Sequence, residues 1–293
     1  AALPNLPSWS MTAGSGGVRS IAALGMVEVL QREGIDPDLI VGCSAGAMFG
    51  ALISLGHSAH QAEKIATQLW TSEVARQHRW CAIPQMIMPK LGRFDADFSM
   101  RNDRLIMQRL RQAFGNCRLE DLQVPLRVAA THADAGHAVV IRQGNLVDAL
   151  RASVAMPFMF APHPVDGQRL SDGFAADPLP VGAATDAHTV IALGFDAPMP
   201  HRVNAPSRLL AQITSTMTNN LMHARLAAAE ASGMRLLRVF PKLERRIGLF
   251  DTQAMPYLIE AGRRATETML PTIIATLEQR PRQPRYTQLR YAT

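Results

Sequence analysis

The sequence predicts an α/β fold built on parallel strands, and three observations lead there. Trp9–Ala13 reads as a strand, runs into the Gly-rich turn Gly14–Gly17, and is followed by apolar residues at helical spacing over Ile21–Glu33. Leu39–Cys43 and Ala45–Leu55 repeat the strand–turn–helix unit at once, which is how a parallel sheet flanked by helices is written in a chain. The 293 residues are 47% hydrophobic, enough for a sizeable core in one large domain or two small ones, and this excludes wholesale disorder.

The first helix stops at Gly34 and the second at Gly56. Ala59–Arg76 and Asp103–Phe114 are read as further helices. Between them, Cys81–Met100 is apolar and Met-rich but broken by Pro and Gly, so it reads either as an acyl-chain groove or lid, or as plain core or surface loop. Leu126–Thr131 and His137–Arg142 are strands around the turn Ala133–Gly136. Ala149–Val154 is a short helix, and Pro157–Gly173 is a Pro/Gly-rich passage with a turn at Asp166–Gly167. Thr189–Phe195 and Arg235–Phe240 are strands and Ser207–Ser232 a long helix. Thr252–Glu278 is a helix that Pro256 and Pro271 bound or subdivide. No repeat or interdomain linker stands out, so a single domain over residues 1–293 is expected.

Lys and Arg number 30 against 24 Asp and Glu, a formal charge of +6, and only Lys64, Lys90 and Lys242 are lysines. The excess is either a compositional preference for Arg or an attraction to a polyanion. Zinc-finger spacing, Arg–aromatic interleaving and RNP-like segments are all missing, so no nucleic acid is expected and an anionic membrane surface is the better polyanion. No apolar run reaches the ~18–20 residues of a membrane span. The start, AALPNLPSWS, lacks a basic n-region and an apolar h-region, so no signal peptide is expected within it, although one already trimmed leaves no trace. Cys43, Cys81 and Cys117 are odd in number and widely spaced, which favours a reducing compartment and a cytoplasmic location. The nine His show no recurring ligand spacing, so no metal site is expected.

The residues that carry chemistry begin with Gly42-Cys43-Ser44-Ala45-Gly46. This is a G-x-S-x-G between a predicted strand and a predicted helix, the context a nucleophile elbow requires. There a serine projects Oγ clear of the sheet, Gly42 and Gly46 let strand and helix approach, and the Ala45 N–H points from the helix N-terminus at a developing oxyanion. The plainer alternative is a tight turn in which Ser44 only caps the helix. An α/β-hydrolase would add Asp/Glu and then His, but only 43 residues precede Ser44, too few for the crossovers of ~30 residues that come first in that fold. The turn Ser15-Gly16-Gly17-Val18-Arg19 can expose successive N–H groups to an anion. If the first two strands are neighbours, this turn and the elbow share the C-terminal sheet edge, and the turn supplies the second half of an oxyanion hole. A dinucleotide fingerprint fails because Arg19 stands where its last Gly belongs, and a Walker loop fails for want of G-K-[ST]. Asp172-Gly173 is the third signal; in isolation it is a turn as readily as a site.

Together the three signals resemble the patatin-like phospholipases: Gly16-Gly17-Val18-Arg19, Gly42–Gly46 and Asp172-Gly173 match the family's Gly-rich loop, serine motif and Asp-Gly motif in order. RASVAMPFMFAPHPVDGQRLSDGFAADPLPV is similar to the passage around the family's catalytic Asp, and GLFDTQAMPYLIEAGRRA to the closing helix of its bacterial members. The resemblance thus runs from about Trp9 to Ala275. Ser15 and Ser20 stand where the family commonly has Gly, and Phe174 where a second small residue is usual.

The resemblance implies a three-layer α/β/α fold around a central mixed, mostly parallel sheet. With it go a core at about 9–185 and a helix-and-strand extension at about 186–278, while residues 279–293, with four Arg and no acid, read from their own composition as a basic tail. The resemblance also implies a Ser–Asp dyad without His: Asp172 takes the proton of Ser44 as Oγ attacks an ester carbonyl, and water then hydrolyses the acyl-enzyme. The Gly16, Gly17 and Ala45 amides hold the oxyanion, with Gly42, Gly46 and Gly173 as motif support. Arg19 secures that loop or a phosphate, or else makes a surface ion pair. The expected function is a phospholipase A or lysophospholipase acting on fatty-acyl esters, with no cofactor, no metal and peripheral contact with an anionic membrane. The alternatives are a thioesterase, acyltransferase or polyester depolymerase with the same dyad, or a catalytically silent lipid-binding regulator.

Overall fold

β1 (Trp9–Ala13) is buried along its whole length, which an all-apolar-flanked strand achieves only with neighbours on both edges. In the computed structural model, which describes residues 8–279, those neighbours are β2 (Leu39–Cys43) and, from far along the chain, β7 (Thr189–Leu193), both parallel to it. Between β1 and β2 runs α1 (Ala22–Arg32), entered through a 3-10 turn at Gly17–Ile21, and after β2 comes α2 (Ala45–Ser54). These first two strand–turn–helix units match the sequence reading almost residue for residue.

The helix expected over Ala59–Arg76 is instead two helices, α3 (Ala59–Leu69) and α4 (Ser72–Ala75). Trp70 is the cause. Its backbone is extended (φ −114°, ψ 97°), its indole N–H donates to the Leu249 carbonyl at 2.9 Å, and its ring stacks on Phe250 at 4.9 Å. A contact with the far end of the chain thus outweighs local helix propensity. Cys81–Met100 holds only the short helix α5 (Ala82–Ile87), and most of its large apolar side chains face solvent, so the core reading of that passage fails. α6 (Arg104–Phe114) follows as expected.

β3 (Leu126–His132) and β4 (Ala138–Ile141) form the expected antiparallel pair. α7 (Leu146–Ser153) starts three residues earlier than read, because the Asn145 side chain caps it by accepting the Asp148 N–H. The passage read only as a turn-bearing loop contains a hairpin, β5 (His163–Val165) and β6 (Gln168–Asp172), whose turn residues Asp166 and Gly167 both have positive φ. α8 (Pro206–Ala231), β8 (Arg235–Val239) and α9 (Met255–Glu278) complete the described chain. Pro256 sits in the first turn of α9, and Pro271 lies inside it without ending it. The part of the expected basic tail from residue 280 on lies outside the described residues.

The sheet order is β5-β6-β3-β2-β1-β7-β8, with β4 on the remaining edge of β3. Strands β3, β2, β1, β7 and β8 are parallel, and β4, β5 and β6 make the antiparallel part, so the sheet is mixed and mostly parallel. Side chains alternate between its faces. Met11, Ile40 and Ile191 pack into the core with α1, α2 and α9, whereas Leu39, Val41, Val190 and Ala192 pack on the other side with Met222 and Leu226 of α8. On the first face α1 and α9 approach so closely that a Cβ on Gly25 would run into the Ile259 carbonyl, and one on Gly262 into the Ala22 carbonyl.

One feature of the register positions the site. β4 occupies one edge of β3, so β2 and β6 must share the other. β2 ends with Cys43 opposite Ala129, and antiparallel β6 ends with Asp172 opposite the next residue, Ala130. Two strand ends therefore meet head-on along β3.

Candidate active site

The head-on meeting delivers Ser44 and Asp172 to each other. Ser44, the residue after β2, donates its hydroxyl hydrogen to Asp172 Oδ2 at 2.7 Å; the two are 4% and 1% exposed. Ser44 has φ 57° and ψ −130°, a left-handed conformation that costs a non-Gly residue on the order of 1–3 kcal/mol. Its surroundings hold it there. The Ser44 N–H donates to Ser153 Oγ at 2.8 Å, and that hydroxyl donates to the Ala129 carbonyl at 2.6 Å. A Cβ on Gly42 would run into Ala47 Cα, and one on Gly46 would lie 2.5 Å from the Ala13 carbonyl oxygen. Close approach thus explains both glycines of the motif.

Asp172 is held as firmly. Its N–H donates to the Ala155 carbonyl at 3.0 Å, its carbonyl accepts from Thr131 Oγ1 at 2.9 Å, and its Oδ1 accepts the Phe174 N–H at 3.0 Å. Burial drives its pKa up to about 7, against the opposing pull of the hydrogen bonds from Ser44 and Phe174. A Cβ on Gly173 would lie 2.8 Å from the Ala129 carbonyl oxygen, so the chain leaving Asp172 passes tightly under β3. The neighbouring thiol is no rival nucleophile: burial, with the charges of Asp172 and Asp177, pushes Cys43 well above its usual pKa and keeps it protonated.

The Gly-rich turn lies at the same edge, since β1 and β2 are adjacent and Gly46 packs against the Gly14 carbonyl. Gly14, Ser15 and Val18 donate their N–H groups to the carbonyls of Leu193, Pro178 and Leu249. Gly16 and Gly17, between them, have no such partner among the described residues, and Ala45 is the first residue of α2, where no intrahelical acceptor exists. Arg19 is buried rather than part of a surface ion pair. Its Nε donates to the Gly16 carbonyl at 3.1 Å and its Nη1 to the Asp196 carbonyl at 2.9 Å, while burial and nearby Arg246 lower its pKa to about 10. Because C=O and N–H point oppositely in a trans peptide, holding Gly16 O also aims the Gly17 N–H. Ser20, read as a departure, donates its hydroxyl to the Gly14 carbonyl at 2.8 Å and so braces the turn. Gly17 takes φ 58° with the Leu249 carbonyl oxygen only 2.6 Å from where a Cβ would stand.

The structure therefore brings together Ser44, Asp172, Gly42, Gly46 and Gly173, and sets Gly16, Gly17, Arg19 and Ala45 on the same sheet edge. Sequence reasoning missed Ser153, Thr131 and the Trp70–Leu249 contact. Only Ser153 left a trace, as a polar residue in an otherwise buried short helix. Chemically, the arrangement offers a hydroxyl nucleophile bonded to a carboxylate of near-neutral pKa, beside unpaired backbone N–H groups.

A family model described as patatin-like phospholipase matches residues 12–185. An uncharacterized NTE family protein of Mycobacterium tuberculosis is 29% identical over 235 residues, covering 79% of this chain and 60% of that protein. Patatin-like phospholipase domain-containing protein 6 of Homo sapiens is 27% identical over 188 residues, 63% of this chain and 13% of that protein. The chain thus spans about 60% of the mycobacterial relative and far less of the human one. Among solved structures, VipD from Legionella pneumophila overlays with a TM-score of 0.48 at 14% identity, covering 92% of this chain and 68% of that chain.

Proposed function

The chain belongs to the patatin-like phospholipase family, and from that premise we propose that it hydrolyses fatty-acyl esters of glycerophospholipids or lysophospholipids through Ser44 and Asp172. The observation that carries the reading is the 2.7 Å hydrogen bond from Ser44 Oγ, at a strained strand–helix turn, to the buried carboxylate of Asp172 at the end of β6. Asp172 in its ionised form takes the Ser44 proton as Oγ bonds to the ester carbonyl carbon. The carbonyl oxygen becomes an oxyanion, which the N–H groups of Gly16, Gly17 and Ala45 hold, with Arg19 fixing the direction of the Gly17 donor. Collapse of this intermediate breaks the ester bond, and the leaving alcohol takes the proton from Asp172. Water then attacks the acyl-Ser44 carbonyl, gives a proton to Asp172, and the fatty acid leaves as the proton returns to Ser44. A pKa of about 7 suits both halves, since the same carboxyl must accept and then give up a proton near neutrality.

The test is hydrolysis of a short-chain nitrophenyl ester and of phospholipid by Ser44→Ala, Asp172→Asn and the double variant. Each single change is expected to lower kcat by about a thousandfold or more, and the double variant to be little worse, because the two residues act as one unit. A fluorophosphonate probe is expected to label wild type and not Ser44→Ala. Full activity of folded Asp172→Asn overturns the dyad.

A further inference from the structure

We propose that the surface formed by residues 79–94 with Phe158 is the face on which the protein docks to an anionic lipid bilayer. α5 tucks only Ala82 and Gln85 inward, and every residue from Met86 to Leu91 is exposed. Trp80 is 77% exposed, Ile87 72% and Leu91 80%, a concentration of bare apolar side chains that marks an interaction surface. From Gln77 to Phe94 the chain carries Arg79, Lys90 and Arg93 and no acid, and none of the three cations is in a salt bridge among the described residues. Trp, Met, Ile and Leu interspersed with Lys and Arg is the composition of a segment that lies in a membrane interface. Anionic headgroups supply the negative charge that this segment lacks.

The surface is tied to the candidate site. Phe94 packs on Phe98 at 4.9 Å, and Phe98 meets Phe158 edge-on at 6.2 Å. Phe158, 59% exposed, lies just past Ala155, whose carbonyl accepts the Asp172 N–H, and its own carbonyl accepts the Met100 N–H at 2.8 Å. Asp97 pairs at 2.6 Å with Arg169 on β6, the strand that ends at Asp172. A bilayer resting on this apolar face is thus connected, through Phe158 and Arg169, to the two stretches of chain that hold Asp172. The choice of a bilayer as partner rests on the lipid-hydrolase reading, so the test reads binding without turnover.

Trp80 makes a direct reporter, because the other two tryptophans, Trp9 and Trp70, are buried at 1% and 2% exposure. Full-length Ser44→Ala protein is mixed with vesicles of phosphatidylcholine, with or without phosphatidylglycerol. Anionic vesicles are expected to shift the emission to shorter wavelength, brominated lipid to quench it, and Trp80→Phe to abolish the shift. Ile87→Ser with Leu91→Ser, both at exposed positions, is expected to weaken binding roughly tenfold or more. Omitting phosphatidylglycerol is expected to weaken it by about tenfold or more as well. An unshifted emission, equal binding to both vesicle types, or undiminished binding by the double variant overturns the proposal. So does a blue-shifted emission that is present without vesicles and fades on dilution, since a second copy of the chain then covers the face. Failure of wild type to hydrolyse esters would instead strike the proposed activity and leave the docking result standing.

Discussion

Asp172 is a carboxyl group whose burial outweighs the two hydrogen bonds it accepts, and its pKa of about 7 has consequences for both rate and stability. Folding raises this pKa from the ordinary ~3.9, so the folded state holds the proton more tightly than the unfolded chain does. The stabilisation from that proton is fully present below about pH 4 and is lost as pH rises through about 7. Asp172→Asn is therefore expected to raise Tm clearly at about pH 8 and only slightly at about pH 4, while abolishing hydrolysis. Wild-type kcat/KM is expected to rise with pH through a single ionisation near 7, because only the carboxylate can take the Ser44 proton. Parallel Tm profiles for the two proteins would show that Asp172 titrates as an ordinary carboxyl. The histidines give the contrasting case. His163 Nε2 lies 2.9 Å from Asp148, and His223 Nε2 lies 2.8 Å from Asp196, but neither imidazole bonds to Ser44. His163→Ala and His223→Ala are each expected to keep kcat for a soluble ester within about tenfold of wild type. A loss of three orders of magnitude at either, with an unchanged melting curve, would restore a Ser–His–Asp mechanism.

The Gly-rich turn is a short element held from outside itself. Leu249 O accepts both the Val18 N–H at 2.9 Å and the Trp70 indole N–H at 2.9 Å, so the break after α3 and the segment before α9 buttress the same turn. Arg19 completes the clamp by bonding two carbonyls at once, Gly16 and Asp196. Arg19→Ala frees the Gly16–Gly17 peptide to rotate. On the proposed mechanism it is expected to lower kcat by about a hundredfold with little change in KM, because the Gly17 N–H would act only as charge develops on the carbonyl oxygen. Arg19→Lys is expected to recover little, since one ammonium cannot reproduce a planar fork that serves two acceptors. Steady-state kinetics on a soluble ester, beside melting curves, separates this from simple unfolding. Equal kcat for Arg19→Ala and wild type would mean that the turn keeps its shape unaided.

At the scale of the whole molecule, the last helix secures the first. α1 and α9 meet through Ala22, Gly25, Ile259 and Gly262 without room for a methyl group at either glycine, and Glu28–Arg263 and Arg32–Glu267 pair across the crossing at 2.6 and 2.8 Å. α1 begins where the Gly-rich turn ends, so its position sets that turn's position. Gly262→Val is expected to push the helices apart at a cost of about 3 kcal/mol, read as a lower urea midpoint, and to reduce activity in proportion. A change of under about 0.5 kcal/mol would mean that α9 can shift without resistance. The region matched by the family model ends at 185, yet β7, which lies beyond it, fills the second edge of β1. Residues past the match are therefore part of the sheet that carries the site.

Two strand–turn–helix units, the elbow at Ser44 and the Asp-Gly pair were legible in the chain because their signals are local: short strand-like runs, helical spacing, and glycines where backbones must nearly touch. Period and glycine placement need no knowledge of distant residues. The break at Trp70, the insertion of β7 beside β1, and the brace from Ser153 depend on residues over a hundred positions away in the chain, and no local pattern encodes such a partner. The pairing of Ser44 with Asp172 stands between these cases. Each residue announced itself by its motif, but their 2.7 Å contact exists because β2 and β6 end at adjacent residues of β3, a register that only the assembled sheet decides. The pKa of the carboxyl was equally out of reach of the sequence, since it comes from burial, and burial is a property of everything packed around Asp172.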